Sequence, residues 1–237
     1  MNFLITNDDG IMSDGLIRLA RAAAALGEVW VVAPDGERSA ASHRITLHDD
    51  VYVRPCPDFP VEGVHAYLCS GTPADCVRIA CRYLMPQKPD AVLSGINRGY
   101  NTGTDLQYSA TAGAAFEGAF QGYPSYAFSE GADGGHEVTD AYLETMLKEA
   151  LETDPGRTRI WNINFPDCPL AECKGVKRGV TVDPKPCYED NYVAQTLEDG
   201  AMKFSVRGTR TENSAEGTDL RAVLDGYVAA GYVRNIG

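Results

Sequence analysis

The 237-residue sequence lacks an excess of positive charge, because its 21 Lys and Arg residues stand against 33 Asp and Glu residues. The net charge of −12 argues against binding to a nucleic-acid backbone, which requires clustered basic residues. The sequence also lacks an apolar run of about 20 residues, the length of a membrane-spanning helix. Its N-terminus has no basic stretch before an apolar core, as secretory signals do. We therefore expect a cytoplasmic globular protein that binds neither a membrane nor a nucleic-acid duplex.

Several site signatures are missing as well. Seven cysteines occur without a Cys-x-x-Cys pair, and neither they nor the four histidines have the spacing of a zinc site. No Gly-x-Ser-x-Gly motif is present, so a serine-hydrolase interpretation has no nucleophile to start from. No Gly-Lys-Ser/Thr sequence follows a glycine-rich loop, which excludes a Walker A phosphate site.

Strand and helix patterns alternate through the first two thirds of the chain. Apolar runs predict strands at 2–6, 29–34, 50–55, 65–70, 90–95, 125–130 and 159–166. Helical spacing or capping signals predict helices at 15–26, 72–84, 109–122 and 137–152. Continuous apolar strands separated by helices predict an α/β fold with a mostly parallel sheet that is covered on both faces.

The composition of the sequence changes near Pro166, where Pro, Gly and charged residues become frequent and helical patterns disappear. We predict three parts: a catalytic domain over 1–165, a protruding β-hairpin arm over 166–210, and a C-terminal helix and strand over 211–237. The last part would pack back on the domain or exchange with a partner subunit. A projecting arm favours at least a dimer.

The stretch "LITNDDGI" places Asp8 and Asp9 directly after the first predicted strand. In parallel sheets, ligands bind beyond the carboxyl ends of the strands, and the loops that carry Ser39 and Asn97 end at the same edge. Carboxylate, hydroxyl and amide oxygens are the ligands that Mg²⁺ and Mn²⁺ prefer. Such an ion polarises a phosphoryl oxygen and acidifies bound water. The alternative for the acidic pair is ordinary turn capping.

The stretch "SGINRGYNTGTD" is rich in residues that suit an anion. Gly95, Gly99 and Gly103 allow backbone N–H groups to approach a ligand closely, and Asn101 adds a side-chain amide. Ser109 follows at the predicted start of a helix, where the helix dipole favours a phosphate. The alternatives are a flexible turn for the glycines and an ordinary N-cap for Ser109.

Other polar residues are weaker candidates. His43 lies four residues after Ser39 and could serve as an acid or base, although a loop hydrogen bond is the more ordinary role for it. Arg38, Arg44 and Arg98 could receive an anionic substrate, or could simply be solvated.

The sequence resembles the family of the stationary-phase survival protein SurE. The resemblance rests on "FLITNDDGI", "VVAP", "RSA", "SGTPADCV", "PDAVLSGINRGYNTGTDLQYSATAGAAFEGA" and "NINFP", in this order through roughly the first two thirds of the chain. It implies a Rossmann-like three-layer sandwich with a projecting arm. It also implies a divalent metal ion and the hydrolysis of phosphate from nucleoside monophosphates.

The family's functional positions match residues that the chemistry above had already selected. Asp8, Asp9, Ser39 and Asn97 match its metal ligands, and Asn101 and Ser109 match its phosphate contacts. One departure is Ala110, which stands where the family motif "SGTVGAA" has its second residue, a glycine. The chain also ends at "YVRNIG", without the longer tail that many relatives use for subunit exchange.

We therefore expect a phosphomonoesterase, a 5'-nucleotidase, with one Mg²⁺ or Mn²⁺ per subunit and a nucleoside monophosphate as substrate. Asp8, Asn101 and Ser109 are its predicted catalytic residues, and a homodimer or homotetramer is its predicted assembly. The general base is open: Asp8 is preferred, and Asp8 as the nucleophile of an aspartyl-phosphate route is the alternative.

A non-catalytic alternative is a signalling module of the receiver type, which also holds magnesium at an acidic pair after its first strand. Such a module needs a phosphoacceptor Asp at a later strand end, and only Asp35, after a proline, is available here. The chain is also about twice the length of such a domain of roughly 120 residues. The sequence thus favours the enzyme.

Overall fold

The structure, a computed structural model, describes residues 1–211 and 213–236, with the backbone but not the side chain of Asp190. Within these residues, a nine-stranded sheet forms the centre of the fold. Its strands are β1 (Asn2–Thr6), β2 (Glu28–Pro34), β3 (Val53–Pro55), β4 (His65–Cys69), β5 (Ala91–Arg98), β6 (Ser125–Glu130), β7 (Arg159–Phe165), β8 (Val176–Arg178) and β11 (Val228–Arg234).

Two further strands, β9 (Tyr188–Thr196) and β10 (Met202–Arg210), pair with each other as a separate antiparallel hairpin. The helices are α1 (Asp14–Ala24), α2 (Pro73–Ile79), α3 (Ala110–Phe120), α4 (Glu137–Leu151) and α5 (Asp219–Leu224). None of the helices in the described part of the chain combines the length and apolar character that crossing a bilayer requires.

The strand order of the main sheet is β3-β4-β2-β1-β5-β6-β7-β11-β8. Neighbouring strands run parallel except at the pairs β3–β4 and β7–β11. The chain moves outward from β1 through β2 to β4 and then returns to β5 on the other side of β1. The strand order therefore reverses between β1 and β5, and a ligand is expected beyond the carboxyl ends of these two strands.

Helices cover both faces of the sheet because successive side chains of a buried strand point to opposite faces. Phe3 and Ile5 of β1 belong to the apolar cluster that contains residues of α1 and α4. Leu4 belongs to a separate cluster with residues of α2. Helix α3 lies buried on the face of α2, and its alanines and glycines allow close contact with the sheet. The predicted α/β, Rossmann-like layout with a mostly parallel sheet is confirmed.

The elements differ from the prediction in detail. The strand predicted at 50–55 is only Val53–Pro55, because it lies at the sheet edge and pairs with β4 alone. The helix predicted at 72–84 is α2, which widens into a π-helical turn at Ala80–Leu84. Strand β8 joins the main sheet beside β11, whereas β9 and β10 form the hairpin. The division at residues 165 and 210 stays a prediction, and Glu212 and Gly237 lie outside the described residues.

Helix α2 begins with the capping signal from which its start was predicted. Thr72 accepts a hydrogen bond from the backbone N–H of Asp75, and the Asp75 carboxylate accepts one from the backbone N–H of Thr72, a reciprocal capping box. Thr46 donates both its N–H and its hydroxyl to Asp75. Burial alone would raise the pKa of Asp75, but these bonds from Thr46 and Thr72 outweigh it and lower the pKa. The cap therefore also anchors the loop before β3.

We predict that Thr72→Ala lowers the free energy of unfolding by about 1–2 kcal/mol, because it removes the N-cap oxygen. Thr72→Ser retains that oxygen and serves as the control, and urea titration followed by circular dichroism measures both. Equal stability of the two variants would contradict the capping role.

Candidate active site

The acidic pair lies where the strand order reverses. Asp8 and Asp9 follow β1 directly; Asp8 is buried, with 4% of its surface exposed, and Asp9 is half-buried. The loop after β2 and the end of β5 are hydrogen-bonded to this pair. The backbone N–H of Arg38 donates to the carbonyl oxygen of Asp8 (2.7 Å), and the backbone N–H of Arg98 donates to Asp9 Oδ2 (3.2 Å). Ser39, in the loop after β2, and Asn97, near the end of β5, each lie next to a residue that is hydrogen-bonded to the acidic pair.

The orientations of Ser39 and Asn97 leave their oxygen lone pairs available. Ser39 is exposed, and its hydroxyl donates to Glu37 Oε1 at 2.6 Å, which occupies the proton and not the acceptor sites. Asn97 donates its amide nitrogen to the carbonyl oxygen of Gly99 at 2.8 Å, which leaves the amide oxygen as acceptor. Both side chains can therefore offer a neutral oxygen to a cation.

The electrostatics of the pair are unfavourable in the absence of a cation. Burial raises the pKa of Asp8 to about 7, and the negative charge of Asp9 contributes to the rise, while the hydrogen bond from Thr111 opposes it. Burial also raises the pKa of Asp9, against the opposing hydrogen bond from Arg98, and the charge of Glu37 adds to the rise. Among the described residues, no Lys, Arg or His forms an ion pair with Asp8 or Asp9. This is an environment that a bound cation would relieve.

The donor set fits a hard divalent cation. Two adjacent carboxylates would supply charge, and the Ser39 hydroxyl and Asn97 amide would supply neutral oxygens. Residues 1–211 and 213–236 contain no cluster of three or more His, Cys, Asp or Glu side chains arranged for a metal. Soft or purely histidine-based coordination therefore has no candidate in the described structure, whereas an oxygen set with two acids does.

Helix α3 begins against the acidic pair. Its first-turn residue Thr111 donates its hydroxyl to Asp8 Oδ1, a contact between residues 103 positions apart in the chain. Ser109 is the N-cap and accepts the backbone N–H of Ala112 at 3.0 Å, so its predicted capping alternative is observed. Its hydroxyl proton is not used by that bond and remains available to a ligand. The positive end of the α3 dipole thus lies next to two carboxylates, where an anion and a cation could share one site.

Asn101 is held by polar residues from the ends of β6 and β7. Its backbone N–H donates to Asn164 Oδ1 (2.8 Å), and its carbonyl oxygen accepts from the amide nitrogens of Asn164 (3.2 Å) and Asn162 (2.8 Å). Its own amide nitrogen donates to Ser129 Oγ at 2.8 Å. One of its two amide protons is therefore occupied within the protein, and the other can reach a ligand.

The glycine-rich loop needs glycine at Gly103, where φ is +57°. A Cβ there would lie 2.0 Å from the carbonyl oxygen of Lys185, so no other residue fits without displacing backbone. The loop is thus pressed against the segment before β9. At Gly103 the loop is therefore a packed turn and not the flexible turn considered as the alternative.

The weaker candidates have structural partners. His43 Nε2 lies 2.9 Å from Glu117 Oε2. This is a hydrogen bond of the loop, the more ordinary of the two roles considered for His43. Arg38 forms an ion pair with Asp35 (2.7 Å), and Arg98 Nε donates to the carbonyl oxygen of Ala132.

Sequence reasoning did not identify Thr111, Ser129 or Asn164, although their contacts hold Asp8 and Asn101 in place. The sequence did contain a signal for Asn164. Asn162 and Asn164 are two residues apart in a strand that is otherwise largely apolar, which places both amides on the same face of the sheet.

Known proteins share the sequence and the fold of this chain. The sequence profile of the family described as "Survival protein SurE" matches residues 3–186. A protein named 5'-nucleotidase SurE from Synechococcus sp. (strain JA-3-3Ab) is 40% identical over 97% of this chain and 90% of its own length. One of the same name from Thermosipho melanesiensis is 39% identical over 97% and 89%. The crystal structure of the SurE protein from Aquifex aeolicus superimposes with a TM-score of 0.82 at 33% identity, covering 99% of this chain and 93% of that one. On these similarities, the chain belongs to the SurE family.

Proposed function

We propose that this protein is a 5'-nucleotidase, a phosphomonoesterase that hydrolyses nucleoside monophosphates to nucleoside and phosphate. The single observation that carries the proposal is the buried carboxylate of Asp8, which lies beside Asp9 at the N-terminus of α3 and has no ion-pair partner among the described residues. The names of the Synechococcus and Thermosipho relatives support the same activity. The receiver alternative has less support, because the family similarity spans nearly the whole chain and not a domain of half its length.

We propose that one Mg²⁺ or Mn²⁺ per subunit is held by Asp8, Asp9, Ser39 and Asn97. When bound, such an ion supplies Lewis acidity toward a phosphoryl oxygen and toward water. Support comes from the hard oxygen donor set and from the burial that raises the pKa of both acids.

The remaining chemistry falls to residues of the chain. Ser109 and the free amide proton of Asn101 would donate to the phosphoryl oxygens, and the α3 dipole would stabilise the negative charge that they carry. Thr111 occupies Asp8 Oδ1, so Oδ2 would be the oxygen that accepts a proton from the attacking water. The oxygen of that water would form the new P–O bond as the bond to the nucleoside 5'-oxygen breaks. The 5'-oxygen would take up a proton from solvent, to which Asp8 would return the proton that it accepted. Capture of a phosphoenzyme would instead favour Asp8 as nucleophile.

The assembly proposed is a homodimer or homotetramer. In the β9–β10 hairpin, the register places Tyr192 opposite Val206 and Ala194 opposite Phe204, so these side chains share one face. Tyr192 and Phe204 are each more than half exposed. An isolated two-stranded hairpin is marginally stable in water, and covering this face with a second copy would stabilise it. A cytoplasmic location stays a prediction.

We predict that Asp9→Asn lowers phosphate release from AMP by at least about 100-fold in Mn²⁺, because loss of a direct ligand exceeds the effect of losing an outer-shell partner. Mn²⁺ should raise the melting temperature of the wild type and not that of the variant. Glu152→Gln removes the same charge from an exposed position and is the control. Full activity of Asp9→Asn would remove Asp9 from the site, and absence of phosphate release from the wild type under every divalent ion would refute the enzyme.

We predict that Asp8→Asn stabilises the metal-free protein at high pH. The folded pKa of about 7 lies above the value of 3.8 expected for an unfolded Asp, so ionisation favours the unfolded chain as pH rises from about 4 to 7. The gain in the free energy of unfolding should be near zero at pH 4 and roughly 4 kcal/mol above pH 7. Urea titrations in EDTA at several pH values measure it, with Glu152→Gln as control. A gain that does not change with pH would contradict the burial of a charged Asp8.

We predict that Phe204→Asp lowers the molar mass measured by light scattering during size-exclusion chromatography, because it places a charge in the apolar hairpin face. Lys203→Glu alters the opposite face of the same strand and should leave the mass unchanged. An unaltered assembly in Phe204→Asp would show that this face is not an interface.

A further inference from the structure

Alternate main-chain N–H groups of the glycine-rich loop are used within the protein. Those of Gly99 and Asn101 donate to acceptors in β6 and β7, at 2.9 Å and 2.8 Å. That of Gly103 donates to the carboxylate of Asp219, 3.2 Å from Oδ2 and 3.3 Å from Oδ1. The loop is therefore anchored at every second residue, and these N–H groups are not free to bind an anion. The side-chain amide of Asn101 is the donor that remains for a phosphate.

The third of these anchors comes from outside the main sheet. Asp219 is the first residue of α5, 116 positions after Gly103 in the chain, and only 3% of its surface is exposed. Its Oδ1 accepts the backbone N–H groups of Asp183 (2.9 Å) and Leu220 (2.7 Å). Its Oδ2 is the oxygen nearer to the N–H of Gly103. One oxygen thus ties α5 to the segment before β9, and the other holds the glycine-rich loop.

The position of this carboxylate is electrostatically unfavourable. Burial raises the pKa of Asp219 to about 6, and the hydrogen bonds from Asp183, Leu220 and Gly103 oppose the rise. The charge of Asp183, which is itself buried, adds to it. Among the described residues, no Lys, Arg or His forms an ion pair with Asp219. A neutral side chain would avoid this cost, so the carboxylate indicates a geometric requirement that two acceptor oxygens meet.

The segment before β9 contacts the same part of the loop. The backbone N–H of Thr104 donates to the carbonyl oxygen of Lys185 at 3.1 Å. The carboxylate of Asp183 accepts the N–H of Lys185 at 2.9 Å, while the N–H of Asp183 donates to Asp219. Asp219 therefore joins the glycine-rich loop, the segment before β9 and α5 at one point.

We propose that Asp219 is a positioning residue of the active site, which holds the glycine-rich loop through Gly103 so that the Asn101 amide points at the phosphoryl oxygens. This proposal rests on the proposed nucleotidase function. Asn101 lies two residues before Gly103, and one of its amide protons is bound to Ser129. The direction of the other proton is then set by the position of the loop backbone. A misplacement of about 1 Å can slow a catalysed reaction about 100-fold.

The test is Asp219→Asn, which keeps the shape of the side chain and removes its charge. With the amide oxygen in the place of Oδ1, the NH₂ group faces the N–H of Gly103, so this anchor is lost and the others remain. We expect kcat for AMP in Mn²⁺ to fall about 10- to 100-fold, with KM within about threefold. The same fall is expected for p-nitrophenyl phosphate, because the phosphoryl group is common to both substrates. Asp219→Ala lacks both oxygens and should lose at least as much.

Thr218→Ala is the matched control. Thr218 is the N-cap of α5 and accepts the backbone N–H of Arg221, so its loss weakens the same end of the helix but removes no bond to the glycine-rich loop. This variant should have a lower melting temperature, and its kcat for AMP should stay within about threefold of the wild type.

Two measurements that do not depend on turnover separate positioning from a general loosening of the fold. Hydrogen exchange, followed by NMR in EDTA-treated protein, should show the Gly103 amide exchanging at least about 10-fold faster in Asp219→Asn and within about threefold in Thr218→Ala. Calorimetric titration of Asp219→Asn with Mn²⁺ should give an affinity within about threefold of the wild type, because Asp219 contacts none of the proposed metal ligands.

Several outcomes would overturn the proposal. They are an unchanged kcat in the Asp219 variants, an equal fall in Thr218→Ala, a fall for AMP alone, and a weakened affinity for Mn²⁺. Unchanged exchange at Gly103 in Asp219→Asn would disprove the anchor whether or not the protein is an enzyme. A wild type that releases phosphate from neither substrate would instead refute the nucleotidase function itself.

Discussion

Asp8 and Asp9 carry two negative charges on neighbouring residues, and the fold removes the first of them from water. Burial of an unpaired carboxylate opposes folding, which is why the pKa of Asp8 is raised to about 7. This carboxylate lies just after the first strand, at the edge where ligands bind in parallel sheets. A buried carboxylate that lacks an ion-pair partner among the described residues is more informative than the acidic pair in the sequence, because it marks a place where a bound cation would be favourable.

Residues distant in the sequence form hydrogen bonds with this pair. Backbone groups of Arg38 and Arg98 attach the loop after β2 and the end of β5 to it, and Thr111 attaches α3. Asn101 is fixed in turn by Asn164, so the glycine-rich loop cannot shift independently of β7. Each attachment is a hydrogen bond that involves a main-chain group or a buried side chain, which gives more defined geometry than a solvated ion pair. The site is therefore set by the strand order and not by any one loop.

Local chemistry was predictable where it depends on neighbours in the chain. The capping box of Thr72 and Asp75 and the N-cap at Ser109 were readable, because a cap is made within three residues. The edge strand β3 was predicted too long, because Val51 and Tyr52 are residue types that favour strands although no neighbouring strand pairs with them. The β8 pairing with β11 was not foreseen, because it joins segments about fifty residues apart that carry no local signal of each other.

By itself, the sequence determined the alternation of strands and helices, the oxygen-rich character of the candidate ligands and the family resemblance. All three follow from residue type and short-range spacing. Only the tertiary structure decided that Asp8 is buried and that Thr111 and Asn164 hold the candidate site residues. The physical reason is that pKa and burial depend on residues brought together across 60 to 100 positions by the strand order.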